Sequence, residues 1–172
     1  MTPVKVAELR RMSELAEFDE VELRALAAAM TEGRYTDGEL LVRKGDRADG
    51  LFIILGGKVD ISVVNDGKRQ LVATLQPGES FGHLALVEDH RRRADVEAVG
   101  EVRAAMLSRQ AFDLLYWKAN PTSQRFQVWV ARQLARDGRR VTDTLYQVLQ
   151  DLAVGGDSLN AAASLREVTL PM

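Results

Sequence analysis

Phe81-Gly82-His83-Leu84-Ala85-Leu86-Val87, followed a few residues on by Arg91-Arg92-Arg93-Ala94-Asp95-Val96, brings a glycine, a short helix start and a basic cluster into one stretch. Those residue types make an anion pocket. A glycine lets backbone approach a ligand closely, the first amides of a helix have no partner within it, and a guanidinium offers a planar fork for phosphate oxygens. Arg92 is the centre of this reading, on its register with Gly82 and Ala85 rather than on charge alone; Arg91 reads as part of a solvated run beside Glu88 and Asp89. An ionised Asp95 facing the pocket would repel a phosphate, an objection that vanishes if its side chain turns outward.

Other chemistries find less support. His83 and His90 are the 2 histidines of the chain, and with Glu88 and Asp89 between them they lack the thiolate or third imidazole of an ordinary metal set. No metal is expected. Ser80 near His83 and Asp89 lacks the nucleophile-elbow pattern of a hydrolase, so no catalytic residue is assigned and the chain is expected not to be an enzyme. Trp117, Trp129 and Tyr146 read as core or interface residues rather than a base-stacking lid.

The elements that must hold this stretch can be read from punctuation and periodicity. Residues 4–30 read as helical: Asp19 followed by Glu22 has the spacing of a capped helix start, and Leu23, Leu26, Ala27 and Met30 share one face. From 31 to 107, glycines separate short apolar runs such as Leu51-Phe52-Ile53-Ile54-Leu55 and the alternating Val59, Ile61 and Val63, the spacing of an antiparallel barrel or roll. Asp66-Gly67 between two such runs predicts a tight hairpin. Gly82 to Glu88 interrupts the strands with one or two helical turns. After Leu107, Ser108 is placed to cap a helix through Lys118, and Asn120-Pro121 ends it and starts a longer one. In that helix Leu134, Val141 and Val148, with Ala131, Gly138, Leu145 and Leu152, form the two rows of a short coiled-coil seam, the alternative being a helix lying on its own domain. The expected class is α+β: an antiparallel β-roll, a jelly-roll-like barrel, with N-terminal helices and a long C-terminal helix. The expected organisation is a helical segment at 1–30, the roll with its cassette helix at 31–120, a dimerisation helix at 121–152 and a flexible tail at 153–172.

Composition narrows the partners. The 172 residues, 46% of them apolar, suffice for one cored domain and an appended helix. With no cysteine, no membrane-length apolar run and no signal-peptide shape at Met1-Thr2-Pro3-Val4-Lys5, the expected place is the cytoplasm, away from any membrane. A net charge of -2 and a pI near 5.8 argue against nucleic acid. Arg10-Arg11 and Arg139-Arg140 read as solvated helix faces, and the stretch after Leu159 is too short for a helix-turn-helix unit.

Phe81-Gly82-x-Leu84-Ala85-Leu86, a short gap and Arg92-x-Ala94-x-Val96 resemble the phosphate-binding cassette of cyclic-nucleotide-binding domains, the family of the catabolite activator protein and cyclic-AMP-dependent kinase regulatory subunits. The likeness extends over about residues 12–150 and takes in Gly38 to Asp46, Asp49 to Leu55 and Leu75 to Gly82. What the resemblance implies is a cyclic mononucleotide, cyclic AMP in preference to cyclic GMP, held by Gly82, His83, Leu84, Ala85, Arg92, Arg93 and Ala94, with Asp137 at the place of base recognition. His83 stands where the family usually has a glutamate that accepts from the ribose 2'-hydroxyl; a neutral imidazole can accept one such bond and a charged one cannot. Arg93 and Asp95 stand where small residues approach the phosphate. The implied role is a dimeric sensor acting through a protein partner. The alternative is a roll and dimer helix that serve as a scaffold without nucleotide, Arg92 then pairing with Asp95.

Overall fold

The computed structural model describes residues 2–116 and 121–153. Its frame is one antiparallel sheet rolled on itself. The elements are β1 (Thr2–Pro3), α1 (Val6–Leu9), α2 (Glu20–Ala29), β2 (Thr31–Tyr35), β3 (Leu40–Val42), β4 (Gly50–Asn65), β5 (Lys68–Leu75), β6 (Ser80–Phe81), α3 (Leu84–Val87), β7 (Asp95–Ser108), α4 (Arg109–Tyr116) and α5 (Pro121–Ala153). The strand path is β1-β2-β7-β4-β5, with β3 also paired to β7 and β6 to β4. β4 and β7 form the spine, paired from Gly50–Ser108 to Ser62–Asp95 with breaks around Gly56.

β4 is apolar on both faces at its start because both faces are covered. Phe52 and Ile54 point into the roll with Val59, Ile61, Val63, Phe81 and Val96, while Leu51 and Ile53 point the other way, under the helices, with Leu26, Leu107, Phe112 and Trp129. Beyond Leu55 the apolar side chains alternate, Val59, Ile61 and Val63 facing the roll, while Ser62 between them is also buried, where the register with β5 shifts. Asp66 and Gly67, at φ 51° and 73°, close the β4–β5 hairpin in the left-handed geometry that suits its twist.

The N-terminal segment is less helical than the sequence suggests. α1 is a single turn, Ser13–Leu15 is a 3-10 turn, and only α2 is a full helix, started by a capping box between Asp19 and Glu22. Leu9, Met12, Leu15 and Phe18 are all buried at steps of three, a period that a continuous α-helix would rotate off the sheet. α4 starts with the Ser108 hydroxyl accepting from the Ala111 amide, as its sequence expects.

α5 divides into two halves. Ser123, Phe126, Trp129, Val130 and Gln133 are buried against the domain and Leu134 packs on the same core; beyond Asp137 no described side chain is buried, and Leu145, Tyr146 and Leu149 are 40%, 63% and 51% exposed. The inner half therefore lies on its own domain, which is the alternative to a seam there, and among the described side chains only the outer half leaves a large apolar residue of the heptad rows, Leu145, exposed. Among the described residues no helix is long and apolar enough to cross a membrane. Trp117 and the tail beyond Ala153 lie outside the described residues.

Candidate functional site

The loop between α3 and β7 carries Arg92, and backbone pairing with residues 43–49 holds it in place. The Arg92 amide donates to the Asp46 carbonyl at 2.8 Å, the Gly45 amide donates to the Arg92 carbonyl at 2.8 Å, and the Ala48 amide donates to the His90 carbonyl at 2.9 Å. Flanking side chains add to this. Arg91, exposed, donates to the Gly45 carbonyl at 2.8 Å, Arg47 pairs with Asp89, and the Asp95 carboxylate accepts from the Lys44 amide at 2.6 Å. Asp95 is thus engaged with backbone, and the Arg92–Asp95 pair expected of the scaffold alternative is absent.

Arg92 itself is 7% exposed. Its Nη2 donates to the Gly50 carbonyl at 2.7 Å and to Asp49 at 3.3 Å, its guanidinium lies 5.7 Å from the centroid of the Phe52 ring, and its buried Nε has no hydrogen-bond partner among the described residues. Phe52 in turn stacks on Phe81 at 5.1 Å. Burial holds the guanidinium below the ordinary arginine value, and the charge and hydrogen bond of Asp49 pull the other way. A buried cation with a donor to spare is a receptor for an anion.

Gly82 makes room for it. At φ +85° the residue is in the left-handed region, and a Cβ there would sit 2.6 Å from Arg92 Nη1 and 3.0 Å from the Gly50 carbonyl oxygen. Any side chain would push Arg92 away. Gly82, Arg92, Arg93 and Ala94 line a narrow cleft with an open volume of about 20 Å³, together with Val42, Phe81, His90 and Val96. Four of the residues singled out in the sequence therefore meet around one apolar-walled, cationic opening.

The other four are placed differently. Leu84 and Ala85 form the start of α3, and the Ala85 carbonyl accepts from Arg109 Nε at 2.8 Å, which ties the cassette to α4. His83 is 3% exposed and turns toward α5: its Nε2 is 3.0 Å from Ser80 Oγ, its Nδ1 is 3.6 Å from Asp137 Oδ2, and its ring meets Trp129 edge-on at 5.6 Å. His83 and Asp137 form a contact between the cassette and α5 outside the lining of the cleft. Sequence reasoning missed Asp49 and Phe52, the direct neighbours of Arg92, and Trp129, the neighbour of His83. Asp49 and Phe52 stand 43 and 40 positions before Arg92, and no local pattern connects them. Among the described residues no three His, Cys, Asp or Glu side chains gather as a metal site would require.

Residues 32–116 match the profile of a family described as the cyclic nucleotide-binding domain. A cAMP-dependent protein kinase regulatory subunit of Dictyostelium discoideum is 36% identical over 111 residues, which are 62% of this chain and 34% of that protein. Human cGMP-dependent protein kinase 2 is 32% identical over 108 residues, 61% of this chain and 14% of that one. The chain thus spans about a third or less of these curated relatives. Among solved structures, the N-terminal domain of a transcriptional regulator from Streptomyces coelicolor A3(2) superposes with a TM-score of 0.67 at 28% identity, covering 75% of this chain and 93% of that one.

Proposed function

From the membership of residues 32–116 in the cyclic nucleotide-binding domain family, we propose that this protein is a non-catalytic regulatory sensor of a cyclic mononucleotide that acts through a protein partner. The observation that carries the reading is Arg92, buried, cationic and one donor short, held against Gly82 at the edge of the cleft. The residues fit the ligand's anionic part: Arg92 would take the phosphate, Gly82 and the start of α3 would let backbone approach it, and Val42 and Val96 would give the rest an apolar wall. Cyclic AMP is put ahead of cyclic GMP on the strength of the Dictyostelium relative, whose name contains the first, although the human relative's contains the second. The signal would leave through α5, which touches the cassette at His83 and Asp137. Asp137 keeps a proposed role toward the base only if α5 moves relative to the cassette. The outer half of α5, with Val141, Leu145 and Leu149, is proposed to pair with a second copy in the cytoplasm, with neither nucleic acid nor membrane as a partner.

Calorimetric titration of the purified protein with cyclic AMP and cyclic GMP tests the ligand. Saturable binding is expected, and Arg92→Ala should weaken it by on the order of 2 kcal/mol, about thirtyfold, since a charge-assisted contact is lost. A flat titration of the folded protein overturns the reading in favour of the nucleotide-free scaffold, which the position of His83 outside the cleft lining favours. For the dimer, Val141→Asp with Leu145→Asp should reduce the mass measured by light scattering to that of a monomer. A parent already at monomer mass removes the dimer.

A further inference from the structure

Besides the apolar packing of Phe126, Trp129, Val130 and Leu134, α5 is held on the domain by two kinds of polar contact. Its ion pairs to the N-terminal segment, Arg125 with Glu22, Arg132 with Glu17 and Arg136 with Glu14, join arginines to carboxylates and keep their charges over the neutral range. The contact to the cassette is different. It joins His83 to Asp137, and an imidazole changes charge between about pH 5 and 8.

The hydrogen-bond arrangement around His83 decides which charge fits. Ser80 Oγ lies 3.2 Å from Glu14 Oε2 and 3.0 Å from His83 Nε2. Ser80 has one hydrogen and two candidate acceptors; we assign it to Glu14, since an ionised carboxylate can only accept whereas the imidazole can also donate, and with that assignment His83 Nε2–H donates to Ser80. In a neutral ring that leaves Nδ1 as a bare lone pair. It faces Asp137 Oδ2, itself an acceptor, at 3.6 Å, and both atoms are buried without a hydrogen-bond partner among the described residues. Two opposed acceptors in a dry place are unfavourable. A second proton on the ring turns the same pair of atoms into an ion pair, which closes to a charge-assisted hydrogen bond on a shift of about half an ångström. The charged and titratable groups around the ring are Asp137 from α5, Glu14 from the 3-10 turn acting through Ser80 of β6, and Arg136 of α5, which offsets Glu14 at 3.5 Å. Trp129 covers the ring without charge.

We propose that His83 and Asp137 form a proton-operated latch that fastens the inner half of α5 to the cassette when the imidazole is charged and loosens it when the imidazole is neutral. Docking strengthens as pH falls from 8 toward 5.5 and weakens as it rises. Where the nucleotide reading above also holds, a cassette that responds to ligand is coupled through the same residue to pH. The latch itself does not depend on that reading.

The test uses the full chain without nucleotide. Hydrogen exchange of the α5 amides between 123 and 137 is followed at pH 5.5 and 8 and corrected for intrinsic rates, with Trp129 emission recorded in a Trp117→Phe background. Protection of these amides is expected to be about tenfold greater at pH 5.5, the worth of one charge-assisted hydrogen bond. Asp137→Asn and, separately, His83→Gln should remove the difference while the roll's own protection stays as in the parent. Equal protection at both pH values in the parent overturns the latch, as does a difference that persists in Asp137→Asn. Should His83→Gln fail to fold, Asp137→Asn decides alone, its side chain being partly exposed. Nitrogen chemical shifts of the ring add a second reading: one proton on Nδ1 and none on Nε2 at pH 8 overturns the assignment. A flat nucleotide titration leaves all these outcomes unchanged.

Discussion

Arg92 and Arg103 stand eleven positions apart in the chain, and the structure uses them in opposite ways. Arg103, on β7, is closed on itself: Nε donates to Glu32 at 2.8 Å, and Nη2 donates to Glu8 at 2.7 Å and to the second Glu32 oxygen at 3.2 Å. Hydrogen bonds to Glu32 first and Glu8 second hold its pKa above the ordinary arginine value. Arg92 meets one carboxylate, Asp49, that is itself 65% exposed, together with one carbonyl, and burial moves its pKa the other way. The more buried guanidinium has the poorer set of partners. Arg103 is saturated by the protein itself, whereas Arg92 keeps a buried donor to spare.

The sharpest way to break this contrast is to remove each guanidinium and measure both stability and binding. Arg103→Ala leaves Glu32, which is buried, with only the more distant and exposed Arg34 at 3.7 Å, and should cost about 3 kcal/mol of stability, lowering Tm by roughly 10 °C on thermal denaturation while the folded protein binds nucleotide as before. Arg92→Ala should lower stability by only about 1 kcal/mol, and its main effect should be on affinity. If both variants lose the same Tm, the two sites are alike and the distinction fails.

A smaller effect lies in acid. The Arg103 hydrogen bond, opposed by burial, holds the Glu32 pKa below its ordinary 4.5. A carboxyl depressed by folding contributes stability that is present above the unfolded value and lost as pH falls through the folded one. The stability advantage of the parent over Glu32→Gln, read from urea unfolding, should therefore be full at pH 6 and shrink steadily below about pH 4.5. An advantage that is unchanged at pH 3 would show that the pair is not what holds Glu32.

The smallest effect sharpens the Arg92 side. Asp49→Asn removes a competing anion while the Gly50 carbonyl still orients the guanidinium, so affinity for a cyclic nucleotide should rise a few-fold, by less than about 1 kcal/mol, more at low salt than at high. A loss of affinity would make Asp49 a necessary support of Arg92 rather than its competitor.

What could be read in advance followed distance along the chain. The capping box at Asp19 and Glu22, the Asp66-Gly67 hairpin, the roll and the Gly82–Arg92 pairing are local patterns or rest on a recognisable cassette, and the structure has them. The helical reading of 4–30 erred where burial at steps of three replaced helical repeats. In α5 Leu134 falls on a heptad row yet packs on the domain core, because periodicity does not say which neighbour a face meets. The direction of His83 was not legible at all. It depends on Ser80, Glu14 and the α5 pair Trp129 and Asp137 arriving from three separate segments, and the carboxylate partner of Arg92 likewise comes from far along the chain, just before β4.

α5 runs unbroken for 33 residues, but only its first half is fixed to the domain. At 1.5 Å per residue, the stretch from Asp137 to Ala153 projects about 24 Å beyond the last contact with the cassette. It is a pointer on a short pivot: a tilt of about 10° at the pivot, well within the play of side-chain packing, sweeps its far end through about 4 Å. A partner that reads the far end of α5 would sense movements of the cassette enlarged several-fold, without touching the cleft beside Arg92.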